Sequence, residues 1–182
     1  MTILRPRPIL GPTTIGMFSL WFESIYKGRR IYLSGSKKNK YQLLALSDLC
    51  EAVYKASFAE KTSDIFNLGA REFQTWHKEL QALIRFDKSY SKITHLPTKA
   101  ALPLLYVASF LHLSPLTSGQ FRPYSHSVSV STIKAEKQLQ WTAKKSNKDL
   151  LLDSYLWYKK NRKKILDRRS TLYQGNWDFR LL

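Results

Sequence analysis

The sequence predicts an α/β fold, because short apolar segments typical of strands alternate with amphipathic helical segments along most of its 182 residues. Apolar residues make up 43% of the chain, which is enough for one domain with a sizeable core and argues against disorder. None of the predicted strands is followed by a glycine-rich phosphate loop. The pattern therefore indicates an α/β domain without such a loop in its sequence.

The first elements are a strand and a helix. The strand is predicted over Ile3 to Leu10 and runs into a Gly-Pro corner. Thr13 and Thr14 are the candidate N-caps of the helix, and Gly28 is expected to end it. Apolar side chains at i, i+3, i+4 and i+7 give this helix one buried face, formed by Phe18, Trp21, Phe22 and Ile25.

The middle of the chain continues the alternation. Strands are predicted at "RRIYLSGS", "DIFNLGA" and "KITHLP". A helix capped by Ser47 follows "YQLLAL", and its inward residues are expected to be Leu49, Val53 and Ala56. A further helix is predicted from Thr75 to Arg85, with an inward face of Trp76, Leu80, Leu83 and Ile84.

The last third is predicted to be mostly helical. The stretch from Ala100 to Leu116 is the most apolar, but it carries internal prolines and is short for a membrane span, so we expect a buried or interfacial helix. Two helices follow, Ser131 to Gln140 and Lys148 to Leu166. Leu151, Tyr155 and Tyr158 lie on one face of the final helix, at a spacing typical of core residues.

The charge is strongly basic, with a formal net charge of +17. Such a charge attracts nucleic acid, anionic membranes or phosphorylated ligands, and it is equally compatible with an ordinary solvated surface. Near the end of the last helix five cations cluster, which the helix dipole stabilises without any ligand; they are Lys159, Lys160, Arg162, Lys163 and Lys164. We expect no specific nucleic-acid partner.

Motifs for catalysis or metal binding are missing from the sequence. The single cysteine, Cys50, excludes an internal disulfide, indicates a reducing compartment and is expected to be a small core residue. The histidines are scattered, without an HExxH or a carboxylate at metal-ligand spacing, and no serine lies in a GxSxG turn. We expect no metal site and a cytoplasmic protein.

Several short segments, in this order and spacing, resemble one family: "ILRPRPILGP", "YKGRRIYLSGS", "NKYQLLALSDLCEAVYKA", "IFNLGA", "HLP", "STIKAEKQLQW" and "SYLWYKKNR". Together they are similar to the C-terminal half of extended short-chain dehydrogenases/reductases, the NAD-dependent epimerase/dehydratase family that acts on nucleotide sugars. The resemblance implies the C-terminal part of a Rossmann-type sheet plus a smaller mixed α/β substrate-binding region. It places this region at residues 1–166 and leaves 167–182 as a basic and polar tail.

The resemblance also implies what this sequence lacks. In the family, the glycine-rich NAD(P) loop and the catalytic YxxxK helix precede the strand that matches Ile3 to Leu10. No glycine-rich loop is present here, and the segments that come nearest to YxxxK, "YKASF" and "YLWYKK", lack the required spacing or context. The YxxxK lysine lowers the tyrosine pKa so that the tyrosinate takes a proton from the sugar hydroxyl. We therefore expect no catalytic residue in this chain and no NAD(P) binding by the chain alone.

The resemblance also implies that this chain keeps the substrate-binding residues of the family. It implies that Arg7 contacts the nucleotide-sugar diphosphate, that Pro6 lies beside the cofactor, and that Tyr41 and Gln42 face the site. Pro8 stands where many members have an amide-donating asparagine, and Asp48 would cap the next helix or interact with its dipole. The remaining implied substrate residues are Phe18 and Trp21, in the pocket wall, and Arg122.

Two hypotheses remain at this stage. In the first, the chain is the substrate-binding portion of a nucleotide-sugar epimerase, dehydratase or reductase, a split or truncated product that needs a separately encoded cofactor-binding half. In the second, it is a non-enzymatic basic α/β module that binds nucleic acid, a membrane surface or a partner protein. An upstream reading frame encoding the glycine-rich loop and YxxxK would favour the first.

Overall fold

A computed structural model describes residues 2–59, 63–97 and 126–167. The predicted helix from Ala100 to Leu116, the candidate residue Arg122 and the tail beyond Asp167 lie outside these residues. Within the described ranges the chain forms six strands and five helices. The strands are β1 Ile3–Pro6, β2 Ile9–Leu10, β3 Ile31–Ser34, β4 Leu44–Ala45, β5 Ile65–Leu68 and β6 Ile93–Leu96. The helices are α1 Phe18–Tyr26, α2 Leu46–Ser57, α3 Trp76–Phe86, α4 Ile133–Gln138 and α5 Asn147–Asp167.

All strand pairs in the described residues are parallel and two-stranded: β1 with β5, β2 with β4, and β3 with β6. In the longest ladders Ile3 pairs with Ile65 and Ile31 with Ile93. Parallel pairs need long crossover connections, which the intervening helices provide. The predicted α/β class is confirmed.

The opening segment differs from the single strand that the sequence predicts. It divides at Arg7 and Pro8 into β1 and β2, which pair with different strands. The Arg7 amide still donates to the Leu68 carbonyl at 2.8 Å, whereas Pro8 has no amide hydrogen and contributes only its carbonyl, to Leu44. β5 occupies one edge of β1. No described strand pairs with the other edge of β1.

Two helix starts were predicted at the wrong residues. Met17, rather than Thr13 or Thr14, is the N-cap of α1, because Thr13 adopts a positive φ of 73° in the preceding turn. In α2 the N-cap is Ala45 instead of Ser47. Gly28, with φ of 67°, follows the C-cap of α1 as predicted.

The inward face of α2 was predicted correctly at Leu49 and Ala56, which pack against the core, and incorrectly at Val53. Val53 is 51% exposed and Cys50 is exposed, so neither is a core residue. The buried positions of α2 are Asp48 and Ala52, one turn apart. The predicted inward residues of α1 and α3 are all buried.

The core consists of two clusters. The larger one joins α1, α3 and α5 to the β2–β3 region and includes Phe22, Tyr155 and Tyr158, of which Phe22 packs against both tyrosine rings at 5.5 and 5.8 Å. The smaller one lies around Phe66 and Leu68 of β5, beneath α2 and α4, and includes Trp141. Tyr155 and Tyr158 are therefore core residues, as their helical spacing predicts.

Two residues of the basic cluster on α5 are paired within the molecule. Arg162 donates to the buried Glu23 carboxylate, and Lys159 donates to Asp87 at 2.7 Å. Tyr158 also donates to Glu23, at 2.5 Å, and Lys27 lies 2.9 Å from it. Burial by itself raises the pKa of Glu23, but the hydrogen bonds from Arg162, Tyr158 and Lys27 outweigh it and lower the pKa to about 2. The contacts of Arg162 and Tyr158 with Glu23 fasten α5 to α1, and the contact of Lys159 with Asp87 fastens α5 to the end of α3.

Candidate functional site

Four residues meet where β1 and β5 end: three that the sequence analysis named as site residues and one glycine that it did not. Arg7 follows β1, Gly69 follows β5, and Tyr41 and Gln42 come from the segment that leads into β4. Ligands of open parallel α/β sheets bind at the carboxyl ends of the strands. We call this group of four residues the Arg7 corner.

Arg7 lies against an aromatic ring in this corner. Its Cζ atom is 5.6 Å from the centroid of the Tyr41 ring, within the range of a cation–π contact. Its Nε atom is buried and has no hydrogen-bond partner among the described residues. A buried donor without a partner costs about 1–3 kcal/mol, and an anionic ligand accepting from this guanidinium would relieve that cost.

Gly69 permits the close approach of the other residues. A Cβ atom at this position would lie 2.5 Å from the Gln42 Cδ, 2.6 Å from its Nε2 and 2.9 Å from the Arg7 Cγ. Cβ atoms essentially never come within 3.0 Å of other heavy atoms. A side chain here would therefore displace Gln42 or Arg7 from its present position.

Gln42 is held by backbone groups on both sides of its amide. Its Nε2 donates to the Ala70 carbonyl at 2.8 Å, and its Oε1 accepts from the Val130 amide at 2.8 Å. The residue is 2% exposed. In this arrangement Gln42 links the end of β5 to the 128–130 segment and shapes the corner.

Tyr41 connects the corner to an aromatic cluster. Its ring stacks on Trp76 at a centroid distance of 4.9 Å, and Trp76 in turn contacts Trp21 at 5.1 Å and Phe18 at 5.6 Å. Phe18 and Trp21, predicted to line the substrate pocket, are 4% and 5% exposed. Their contact with the Arg7 corner is indirect, through the Trp76 ring. The sequence predicted Trp76 only as an inward residue of α3.

Asn147, at the start of α5, is a residue that the sequence analysis missed. It is fully buried, donates to the Tyr41 carbonyl at 2.7 Å and accepts from the Leu43 amide at 3.0 Å. Because both the NH₂ group and the oxygen of the Asn147 side chain bond to the backbone of the 41–43 segment, this buried asparagine fixes the conformation of that segment. In the sequence, an asparagine at the start of a helix looks like an ordinary N-cap, so nothing marks Asn147 as a site residue.

The remaining predicted residues have other positions. Pro6 is exposed at the end of β1, next to Arg7. Asp48 is not the N-cap of α2, which is Ala45, but it lies in the first turn, where a carboxylate interacts favourably with the helix dipole. Its carboxylate accepts from the amides of Lys144 and Lys145 at 3.1 and 3.2 Å, and its carbonyl accepts from the Trp141 indole at 2.9 Å. Asp48 therefore fastens the loop before α5 to α2.

The histidines are not all scattered, contrary to the sequence-based interpretation. The His77 Nδ1 lies 3.0 Å from the His95 Nε2, although the two residues are on α3 and β6. Burial is the main cause that lowers the pKa of His77, and the nearby His95 and Lys37 lower it further.

Across the described residues, no group of three or more His, Cys, Asp or Glu side chains forms a metal-binding cluster. None of the helices within residues 2–59, 63–97 and 126–167 is long and apolar enough to cross a membrane.

Most of this chain is similar in sequence to part of a longer protein. The chain is 32% identical over 162 residues to the uncharacterized protein y4nG of Sinorhizobium fredii, a match that covers 89% of this chain and 41% of that protein. No family model matches the sequence. The chain thus spans less than half the length of this relative.

Solved structures of a UDP-glucose 4-epimerase and a dTDP-glucose 4,6-dehydratase have the same fold as this chain. UDP-glucose 4-epimerase from Thermotoga maritima, solved with UDP-glucose, has a TM-score of 0.65 at 17% identity, covering 88% of this chain and 46% of that one. The dTDP-glucose 4,6-dehydratase of Bacillus anthracis, in complex with NAD, has a TM-score of 0.64 at 16% identity, with coverages of 89% and 45%. At these identities the likeness establishes a Rossmann-like α/β fold, in agreement with the parallel ladders described above.

Proposed function

We propose that this chain is the substrate-binding portion of an NAD(P)-dependent nucleotide-sugar epimerase or dehydratase. The single observation that carries the proposal is the Arg7 corner, where a buried guanidinium nitrogen without a hydrogen-bond partner among the described residues lies over an aromatic ring at the ends of two parallel strands. The shared fold of the UDP-glucose epimerase and dTDP-glucose dehydratase supports it.

In this proposal the corner binds the diphosphate of the nucleotide sugar. Arg7 supplies the positive charge, since arginine is suited to phosphate oxygens. Tyr41 holds the guanidinium in place, and Gln42 keeps the Tyr41 backbone against the end of β5. Phe18 and Trp21 support the wall behind Tyr41 through Trp76, and Arg122 is a second cation for the diphosphate.

The cofactor chemistry is proposed to come from polypeptide outside this sequence. The chain matches about 41–46% of the length of its relatives, and its sequence contains no glycine-rich loop. Its YxxxK spacing, Tyr155 to Lys159, lies on α5, where both side chains donate to Asp87 and Tyr155 is a core residue. NAD(P) would accept and return a hydride in the assembled enzyme, with Pro6 at the border of its site. The edge of β1 that no described strand occupies is the place where a cofactor-binding half would extend the sheet.

The test is calorimetric titration of UDP-glucose into the full chain co-purified with the NAD-binding half of a nucleotide-sugar epimerase. The Arg7→Ala variant should bind UDP-glucose at least about tenfold more weakly, since charge-assisted hydrogen bonds contribute about 1.5–3 kcal/mol. The matched control is Arg5→Ala, which removes an exposed arginine two positions earlier on β1 and should leave the affinity unchanged. Equal effects of the two substitutions, or no UDP-glucose binding by the unaltered complex, would refute the proposal.

A further inference from the structure

His77 and His95 form a pair at the second parallel ladder, away from the Arg7 corner. His77 lies in the first turn of α3, and His95 lies on β6 opposite Leu33 of β3. The distance from the His77 Nδ1 to the His95 Nε2 is 3.0 Å. Both rings are half-buried, so water reaches the pair.

The backbone fixes the orientation of the second ring. The His95 Nδ1 lies 3.1 Å from the Gly35 carbonyl, to which it donates its hydrogen when the ring is neutral. The Gly35 amide donates to Leu96 at 3.0 Å, which holds that carbonyl next to β6. With Nδ1 protonated, the lone pair of His95 is on Nε2 and points at the His77 ring. Metal-ligating histidines commonly donate their second ring N–H to a carbonyl in this way.

We propose that His77 Nδ1 and His95 Nε2 bind a divalent transition-metal ion of the class that prefers imidazole, such as Ni²⁺, Cu²⁺ or Zn²⁺. With metal–nitrogen bonds of about 2.0–2.1 Å, two ligating nitrogens are about 2.9 Å apart at a right angle and about 3.3 Å apart at a tetrahedral angle. The observed 3.0 Å lies within that range, so the two nitrogens keep their separation, while each ring turns to point its lone pair at the ion, which lies to one side of the line between them.

Proton bookkeeping in this step is simple. The His77 hydrogen between the rings leaves Nδ1, and Nε2 of the same ring takes up a hydrogen from solvent, so both imidazoles stay neutral. Since the described residues provide no third His, Cys, Asp or Glu ligand, water completes the coordination. Binding is thus weaker than at a closed structural zinc site, which has four protein ligands.

A substitution of the nearby Lys37 distinguishes a cation site from an anion site at this pair. Lys37 acts electrostatically on His77. If the pair binds a cation, Lys37→Ala should strengthen binding, because a nearby like charge is removed. If the pair together with Lys37 forms an anion site instead, the same substitution should weaken binding of inorganic phosphate, and the proposal would be wrong.

The experiment is isothermal titration of the untagged full chain with NiCl₂, with Cu²⁺ electron paramagnetic resonance as the second readout. His77→Gln and His95→Gln should each weaken Ni²⁺ binding by more than about tenfold, since even outer-shell substitutions cost about 10–100-fold. The Cu²⁺ spectrum should show coupling to two imidazole nitrogens in the unaltered chain and to fewer in either variant.

The matched control is His126→Gln, which removes an exposed histidine outside the pair and should leave Ni²⁺ binding unchanged. Urea unfolding of all variants verifies that they fold. The proposal is overturned if folded His77→Gln and His95→Gln bind Ni²⁺ as the unaltered chain does, or if His126→Gln causes the loss.

Discussion

The Arg162 guanidinium of α5 holds the Glu23 carboxylate of α1 through two hydrogen bonds, from Nε to Oε2 at 2.7 Å and from Nη2 to Oε1 at 2.6 Å. The side chain of Glu23 is only 3% exposed, so this carboxylate depends on its partners. The same pair explains why the basic cluster at the end of α5 is not simply a free cationic surface.

Arg162→Met should lower the free energy of unfolding by about 3 kcal/mol, because removal of one partner leaves a buried charge uncompensated. Urea denaturation measures this loss. Lys163→Met, which changes the neighbouring exposed lysine, is the control and should change stability by less than about 0.5 kcal/mol. Similar small losses in both variants would contradict the structural role of the pair.

The stability that Glu23 provides should depend on pH in a predictable direction. Its pKa falls from 4.5 to about 2 in the folded chain, so its stabilisation is complete above about pH 4.5 and is lost as the pH falls toward 2. The difference in unfolding free energy between the unaltered chain and Glu23→Gln should therefore shrink over that interval. Urea titrations at several pH values measure it, and a difference that stays constant down to about pH 2.5 would contradict the assignment.

Gly69→Ala should disturb the Arg7 corner, because the added Cβ would lie 2.5 Å from the Gln42 side chain. We expect a loss of about 1–3 kcal/mol from overpacking, together with loosening of the Gln42 hydrogen bonds to Ala70 and Val130. Gly11→Ala is the control, since its Cβ would make an ordinary 3.7 Å contact with Leu46. Thermal unfolding compares them, and equal stability of the two variants would show that the corner tolerates a side chain.

The free edge of β1 predicts self-association of the chain in isolation. No described strand pairs with this edge, and Ile65 on the adjacent β5 is 38% exposed. Unpaired edges are templates for pairing with another chain. Size-exclusion chromatography at increasing concentration should show a shift to larger species that a co-expressed cofactor-binding half suppresses. A sharp monomer peak at every concentration would contradict this prediction.

The helices of the fold were predictable where apolar spacing is strong. Trp76, Leu80, Leu83 and Ile84 share one face at helical spacing, and all are buried in α3. Prediction was only partly correct for α2: Leu49 and Ala56 pack against the core, but Val53 is apolar and exposed. Asp48 is polar and buried, because it has backbone partners at Lys144 and Lys145. A contact across 96 residues has no local sequence signal.

The candidate site was predictable only in part. The resemblance indicated Arg7, Tyr41 and Gln42, and the structure brings these residues together. It gave no indication of Asn147, which holds the Tyr41 segment from 106 residues away, or of the His77–His95 pair. Both depend on tertiary packing between elements that are distant in sequence.

The most direct test of the central claim is the ¹⁵N resonance of the Arg7 Nε–H group during titration with UDP. This nitrogen is buried without a hydrogen-bond partner among the described residues, and Arg7→Lys identifies its signal by removing it. If the Arg7 corner binds the diphosphate, the Nε–H signal should move downfield in a saturable manner, while the Arg5 signal stays in place. An unchanged Arg7 signal at saturating UDP, or equal unsaturable drifts of both arginine signals, would contradict the proposed function.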